Sequence, residues 1–448
     1  MMSPEFVIAL FCLVFFAGLL SGFPIFLVLA GVGTLFAIAG DLFGFLGFGS
    51  DIRLLDLTVR RIFSLMSNIT LVAVPMFVLM GIVLDKSKIA GDLLDSIAKI
   101  FRRVPAGLAV SVIIVGTILA AATGVASASV ILLGTLALPA MAKLKYDQGF
   151  AAATVCVAGG LGSVIPPSVM LVIMADQMVV SVSDLFIGSV FPGLILAGLY
   201  LLFCLFVGTF LPSKAPSPVL DEGEVVTWVE IWKLLATMVP PLLLIIAVLG
   251  SILFGFASPT EASGVGAFGA VVLALVRGRL NKKSFIDSCE ATARITAFIF
   301  GILIGATALS VVMRGLGGDD VIRDFVLGFG FGNQGLVILL LVVVFFLGFL
   351  LDWIEISLIL LPIAVPILDA AGVDKVWFTV LFAVVLQTSF ITPPVGFSLF
   401  YVRSLLPDSV HTNVIYRGVI PFVGLQVIAI ILIFYYPATV SWLIEAQG

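Results

Sequence analysis

The chain has 448 residues, of which 62% are apolar and only 11% charged, and its mean hydropathy is +1.31. This balance excludes an ordinary soluble domain, and a net charge of only −4 argues against a nucleic-acid partner. Many apolar runs are long enough to cross a bilayer core of about 30 Å. The sequence therefore predicts an all-α polytopic membrane protein.

The first half of the chain, residues 1–211, is predicted to be one structural repeat. It starts with apolar helices, continues with two short apolar segments and an interrupted helix, and ends with a closing helix. These segments lie over 4–20, 24–39, 63–85, 106–122, 128–142, 149–176 and 185–211.

The two short segments, over about 106–142, are only about 15–17 residues each and do not span a bilayer comfortably. Basic residues stand at both ends of the pair. Because basic residues favour the cytoplasm, both ends are expected on one side, which predicts a re-entrant hairpin. The helix that follows, about 149–176, cannot continue through Pro166-Pro167, because proline lacks an N–H and clashes with the preceding turn.

The second half repeats this order after a polar, proline-rich linker over 212–228, which is expected to be cytoplasmic. Repeat two covers 229–448. Its hairpin is predicted over about 335–369. Its broken helix, about 376–402, is interrupted at Pro393-Pro394. The remaining apolar segments lie over 229–253, 259–276, 293–313 and 413–436.

Prolines occupy equivalent positions in the two halves. Pro393 minus Pro166 is 227, and Pro366 minus Pro139 is also 227. The basic loop at Arg277 is expected in the cytoplasm, so the chain should reach the second hairpin from the opposite side of the membrane. The halves are thus predicted to have inverted topology. Interrupted helices at equivalent places in two such halves indicate the binding sites of a secondary transporter.

Hydroxyl side chains cluster at the predicted hairpin tips and helix breaks. Helix ends attract anions, whereas free carbonyls and hydroxyls coordinate a small cation such as Na⁺. An isolated membrane Ser or Thr is better explained as a helix-packing group, but one beside Pro-Pro or a hairpin tip is a site candidate. These candidates are Thr123, Ser127, Ser129, Ser163 and Ser168 in repeat one, and Thr388, Ser389, Thr392 and Ser398 in repeat two.

Three ionisable residues interrupt apolar sequence in the second half. Asp352 and Glu355 lie at the presumed second hairpin tip, where they could bind a cation, relay a proton, cap the following helix or simply be solvated. Arg314 could bind a substrate carboxylate bidentately, or extend from a helix end to the interface.

Several motifs resemble the large membrane subunit of tripartite ATP-independent periplasmic (TRAP) transporters. The resemblance covers nearly the whole chain in one order, and the second group of motifs is similar to the branch named for mannitol or chloroaromatic compounds. The chain departs from the family at Met174-Ala175-Asp176, where relatives often have Tyr-Gly. The family motifs are Val74–Gly81, Leu161–Ser168, Ser258–Ala262 and Thr392–Gly396, and the branch motifs are Asp352–Ile356 and Leu386–Phe390.

This resemblance implies an elevator-type, Na⁺-coupled importer in the bacterial inner membrane, with a scaffold and a mobile transport domain. It implies two Na⁺ sites, an organic acid anion as substrate, a soluble periplasmic binding protein and a small four-helix membrane subunit, here expected as a separate chain. The resemblance places the Na⁺ sites at Gly162, Ser163 and Pro166 and at Thr388, Ser389 and Thr392, and substrate contacts near Ser127, Ser168 and Asp352. The pattern of polar residues described above adds Ser127 to the Na⁺ candidates, and Thr123, Glu355 and Arg314 to the substrate-contact candidates.

Other functions remain open at this point. A stand-alone Na⁺- or H⁺-coupled carboxylate symporter or antiporter would share the repeats, and a channel would use the two re-entrant loops as filters. An intramembrane enzyme is disfavoured, because the membrane segments contain no catalytic dyad or metal-ligand spacing.

Overall fold

The computed structural model describes residues 3–43, 54–123, 126–216, 227–328 and 330–446. Within these ranges the secondary structure is helical, with no strand. Eight of the described helical segments are long and apolar enough to cross a membrane. The all-α polytopic class predicted from composition is confirmed. The predicted linker, 212–228, falls largely outside the described residues.

The described residues of the first half form ten α-helices. Short 3-10 turns at Ile69–Val72, Phe101–Arg103 and Leu161–Ser163 stand between some of them. The helices are α1 (Pro4–Leu20), α2 (Ile25–Phe43), α3 (Leu54–Met66), α4 (Ala73–Lys86), α5 (Ile89–Ile100), α6 (Gly107–Thr123), α7 (Ala126–Lys143), α8 (Gln148–Gly160), α9 (Val169–Met178) and α10 (Val182–Phe210).

The described residues of the second half form ten more, several of which begin at a side-chain cap such as Ser258 or Asp374. They are α11 (Trp228–Leu253), α12 (Pro259–Val276), α13 (Lys282–Gly315), α14 (Gly318–Gly328), α15 (Asn333–Leu347), α16 (Trp353–Ala371), α17 (Lys375–Ile391), α18 (Phe397–Leu405), α19 (Thr412–Tyr435) and α20 (Ala438–Glu445).

The single helix predicted over 63–85 is wrong. The chain instead forms α3 and α4, separated at Ser67 and Asn68. The Asn68 side chain accepts a hydrogen bond from Thr70 N, which caps the 3-10 turn and competes with a continuous helix. The matching segment of the second half is one unbroken helix, α13.

The most buried helices are α8 and α17, the helices that precede the two Pro-Pro pairs. Every residue of Phe378–Ile391 is buried, and so is every residue of α8 after its first. Helix α8 packs against α6, α7 and α19, whereas α17 packs against α10, α15 and α19. A second group of contacts joins α13 to α2, α3 and α4, and α4 to α12. The interrupted helices therefore lie in the interior, flanked by the paired helices α6–α7 and α15–α16.

Helix α11 runs through a third proline pair, Pro240-Pro241, without a break. Proline at these positions leaves the carbonyls of Ala236 and Thr237, four residues earlier, without their helical donors. Arg277 Nη2 supplies both missing hydrogen bonds, at 2.9 Å to Ala236 O and 3.0 Å to Thr237 O. A Pro-Pro pair is thus compatible with a continuous membrane helix when another side chain replaces the donors.

Candidate functional site

The first helix break lies between α8 and α9. Since residues 166 and 167 are prolines, Gly162 O and Ser163 O lose their helical donors. Ser168 Oγ donates to Ser163 O at 3.3 Å, and Ser168 is also the N-cap residue of α9. The break is fully buried. It therefore presents a partly unsatisfied backbone and two hydroxyl groups inside the protein.

The second break, between α17 and α18, has the same construction. Pro393 and Pro394 deprive Ser389 O and Phe390 O of their helical donors. Thr392 N donates instead to Ser389 O at 3.2 Å, and the hydroxyl of Tyr416 on α19 donates to Pro394 O at 2.8 Å. Both Pro-Pro peptide bonds, here and at the first break, are cis.

Each break lies against the turn between a helix pair. A Cβ placed on Gly162 would lie 3.5 Å from Ala120 Cα and 3.7 Å from Ala126 N, so the first break contacts the last turn of α6 and the start of α7. Gly348, which ends α15, fits against the hydroxyl of Ser389 with no room for a Cβ. The structure thus brings the predicted hairpin ends and the breaks together. Re-entrance of the pairs stays a prediction.

The two interrupted helices also meet each other. A Cβ on Gly160 would lie 3.3 Å from Gln387 Nε2. Gln387 is fully buried, and neither its amide nitrogen nor its amide oxygen has a hydrogen-bond partner within the described residues. Sequence reasoning missed this residue, although an amide in an apolar run next to Thr388 is a visible signal. An unpaired buried amide is costly, so Gln387 is a candidate for binding a ligand.

Besides Ser168, four of the candidate hydroxyls donate to nearby backbone carbonyls. The distances are 2.8 Å for Ser163 Oγ to Gly160 O, 2.8 Å for Thr388 Oγ1 to Val384 O, 2.7 Å for Ser389 Oγ to Leu386 O and 2.6 Å for Thr392 Oγ1 to Thr388 O. These bonds use the hydroxyl hydrogens and leave oxygen lone pairs available as ligands. Ser127 lies half-buried in the first turn of α7. The Thr123 side chain lies outside the described residues.

Asp352 and Glu355 are organised as a helix cap. Asp352 is the N-cap residue of α16, and Glu355 Oε2 accepts a hydrogen bond from Asp352 N at 2.5 Å, completing a capping box. Glu355 is buried. The sequence leaves several roles open for Asp352 and Glu355. The hydrogen bonds in the structure support helix capping.

Arg314 lies apart from this centre. Its Nη2 donates to Pro362 O at 3.0 Å, and its Nε lies 3.3 Å from Asp319 Oδ2. Pro362 is nine residues after the start of α16 at Trp353, about 14 Å along the helix. The structure therefore does not bring Arg314 to the tip with Asp352.

A profile of the family described as "Tripartite ATP-independent periplasmic transporter, DctM component" matches residues 12–439. The chain belongs to this family. As a family member it is a multi-pass protein of the bacterial inner membrane and a transport protein rather than an enzyme. The family resemblance noted from the motifs is confirmed.

The chain is similar to several TRAP permeases. It is 28% identical over 395 residues to the isethionate TRAP transporter permease protein DctMQ of Oleidesulfovibrio alaskensis, covering 86% of this chain but only 59% of that one. It is 26% identical over 421 residues to the C4-dicarboxylate large permease protein DctM of Vibrio cholerae, covering 89% and 91%. It is 26% identical to the ectoine large permease protein TeaC of Halomonas elongata, covering 94% of each.

A solved structure shares the fold. The YdaH transporter of Alcanivorax borkumensis, described as having an unusual topology, superposes with a TM-score of 0.61 at 14% identity, covering 97% of this chain and 98% of that one. At this identity the similarity shows the fold alone.

Proposed function

We propose that this chain imports an organic acid anion by Na⁺-coupled secondary transport. The observation that carries the proposal is the repeated break: two helix interruptions, the first buried and the second partly exposed at Pro394, each with carbonyls released by Pro-Pro and adjacent hydroxyls. Each lies against helix ends of a neighbouring helix pair. Oxygen atoms of this kind, without a fixed carboxylate, suit a weakly held monovalent cation.

The first Na⁺ would bind at Gly162, Ser163 and Pro166 with Ser127, and the second at Thr388, Ser389 and Thr392. Gln387 Oε1 is a further candidate ligand, because it is buried without a partner between the two breaks. Ser168, Thr123 and the Asp352 end of α16 would face the substrate. Cation binding at both breaks would offset the negative potential of the free carbonyls and favour an anion nearby.

The substrate class follows from the relatives. Those with named substrates take isethionate, C4-dicarboxylates, ectoine or sialic acid, all of which carry a carboxylate or sulfonate group. An organic acid anion is accordingly the substrate class proposed for this chain. By the same family membership, a separate small membrane subunit and a soluble periplasmic binding protein would be its partners.

Coupling requires that binding of both ligands favours crossing of the membrane over any partly loaded state. We assign the movement to the helices around the breaks, α6–α9 and α15–α18, relative to a scaffold formed by the remaining helices. This elevator arrangement would carry the breaks from one side to the other without exposing their free carbonyls to lipid.

The test is uptake into proteoliposomes that contain this chain with its small subunit. A panel of radiolabelled acids (a C4 dicarboxylate, a sugar acid, a 2-hydroxy acid and a hydroxyalkyl sulfonate) is supplied with and without the binding protein. Uptake of one acid only in the presence of both partners is expected. Uptake by this chain alone would instead support the second candidate function, a stand-alone Na⁺- or H⁺-coupled carboxylate transporter.

A further inference from the structure

A polar cleft of about 600 Å³ lies between α3, α9, α13 and α16. Its walls include Arg61, Asn68, Asp176 and Gln177, together with Arg314. No Na⁺-site candidate lines it. Asp176 is seven residues after the start of α9 at Val169, which places the cleft about 10 Å along that helix from the first break.

The charged side chains that line the cleft are two arginines, Arg61 and Arg314, and one carboxylate, Asp176. Its one carboxylate, Asp176, already accepts hydrogen bonds from Asn68 Nδ2 at 2.5 Å and from Gln177 Nε2 at 2.9 Å. Arg314 is paired with Asp319. Arg61 is exposed and has no hydrogen bond or ion pair with any described residue. An unpaired guanidinium presents a planar fork of donors suited to a carboxylate or sulfonate.

The position of the cleft fits entry from outside the cell. It lies at the carboxyl end of α13, a 34-residue helix that begins next to the basic loop with Arg277, Arg279, Lys282 and Lys283. Because basic loops favour the cytoplasm, the opposite end of α13 faces the periplasm. The cleft is therefore open on the side from which an imported anion arrives.

We infer that this cleft is an entry site for the acidic group of the transported anion, with Arg61 as the contact. The inference rests on the proposed function for the identity of the ligand, but the positive potential that it requires is measurable without transport. Arg60 is the matched control, since it is the exposed neighbour of Arg61 on α3 and does not line the cleft.

The first experiment measures that potential. Ser310, which lines the cleft on α13, is replaced by cysteine in a Cys12→Ser, Cys289→Ser background; the remaining two cysteines are buried. The full chain in phosphatidylcholine nanodiscs is labelled with an anionic and with a cationic methanethiosulfonate reagent. Removing one nearby unit charge should lower the anionic-to-cationic rate ratio about fivefold in Arg61→Gln. Arg60→Gln should leave the ratio unchanged.

Equal ratios in Arg61→Gln and Arg60→Gln would overturn the inference. So would an Arg61 effect that disappears when phosphatidylglycerol is added to the nanodiscs, because Arg61 would then be holding a lipid headgroup. An effect that persists in both lipids supports the entry site.

The second experiment uses uptake of whichever acid the reconstituted complex transports. Arg61→Gln should raise the KM about three- to tenfold with little change in maximal rate, whereas Arg60→Gln should change neither. An unchanged KM with normal uptake would reject the entry site and leave the proposed function standing. Absence of uptake for every acid would reject the proposed function, while the labelling ratio still decides on the cleft.

Discussion

Arg314 donates a hydrogen bond from Nη2 to the carbonyl oxygen of Pro362, at 3.0 Å. Residue 366, four positions later on α16, is also a proline, so this carbonyl has no helical donor. Arg277 has the same relationship to the carbonyls released by Pro240-Pro241 on α11. An arginine from a neighbouring helix thus replaces a donor that proline removes, at two places in the molecule.

The stabilisation from the hydrogen bond between Arg314 and the Pro362 carbonyl should depend on the proline at position 366. Arg314→Met should lower the free energy of unfolding by about 1–2 kcal/mol, because a buried carbonyl loses its donor. In a Pro366→Ala background the backbone N–H returns, so the same substitution should cost about 1 kcal/mol less. Unfolding in detergent, followed by tryptophan fluorescence, measures both. As a control, Asp319→Asn removes only the ion pair with Arg314, so its cost should be the same in the parent chain and in the Pro366→Ala background. If Arg314→Met costs the same in both backgrounds, Arg314 does not act as the donor that Pro366 removes.

Arg277 should matter more than its neighbour Arg279. Arg277→Met leaves two carbonyls of α11 without donors and should cost about 1–3 kcal/mol. Arg279→Gln removes only an exposed pair with Asp92, at 3.7 Å, and should cost well under about 1 kcal/mol. The melting temperatures of the two variants, compared with the parent chain, test this. Equal shifts would show that the carbonyl bonds contribute nothing measurable.

Gly348 should not tolerate a side chain. Gly348→Ala would push a methyl group into Ser389 and separate α15 from α17, at a cost of about 1–3 kcal/mol. Gly250→Ala is the control, because a Cβ there meets nothing within 4 Å and alanine favours the interior of α11. The melting temperature should therefore fall in Gly348→Ala and rise in Gly250→Ala. An unchanged melting temperature in Gly348→Ala would mean that the end of α15 does not pack against Ser389 as described.

Gln387 should lower the stability of the Na⁺-free protein and contribute to Na⁺ binding. Gln387→Met removes an unpaired buried amide and should raise the melting temperature without Na⁺. If Oε1 is a ligand, the same variant should lose most of the additional stabilisation by Na⁺ that the parent chain shows. Gln426→Met removes another buried amide, on α19, and should keep that Na⁺ response. A full Na⁺ response in Gln387→Met would exclude Gln387 as a ligand.

Much of the architecture could be predicted from the sequence because proline and apolar length act locally. Both breaks lie at the pairs that the sequence indicates, Pro166-Pro167 and Pro393-Pro394, and hydropathy located most of the spans. Predictions from local sequence failed where a residue distant in the sequence determines whether a helix continues. Nothing near Pro240-Pro241 in the sequence shows that Arg277, on another helix, keeps α11 intact.

The amphipathic helices α5 and α14 were not predicted, because they are too short and too polar to register as membrane segments. The cleft was missed for a different reason. Arg61 falls just before a segment predicted to start at 63, and only the separation of α3 from α4 at Asn68 places it beside Arg314. The position of a site formed by helix ends depends on where each helix begins and ends. Sequence patterns define these boundaries least well.

We propose that two Na⁺ ions, bound at the two breaks, drive transport. The most direct test is the initial rate of acid uptake into proteoliposomes as external Na⁺ is varied, with K⁺ keeping the ionic strength constant and no proton gradient. We predict a sigmoidal dependence with a Hill coefficient between about 1 and 2. A rate indifferent to Na⁺ that follows an imposed proton gradient would contradict the account and assign coupling to Asp352 and Glu355.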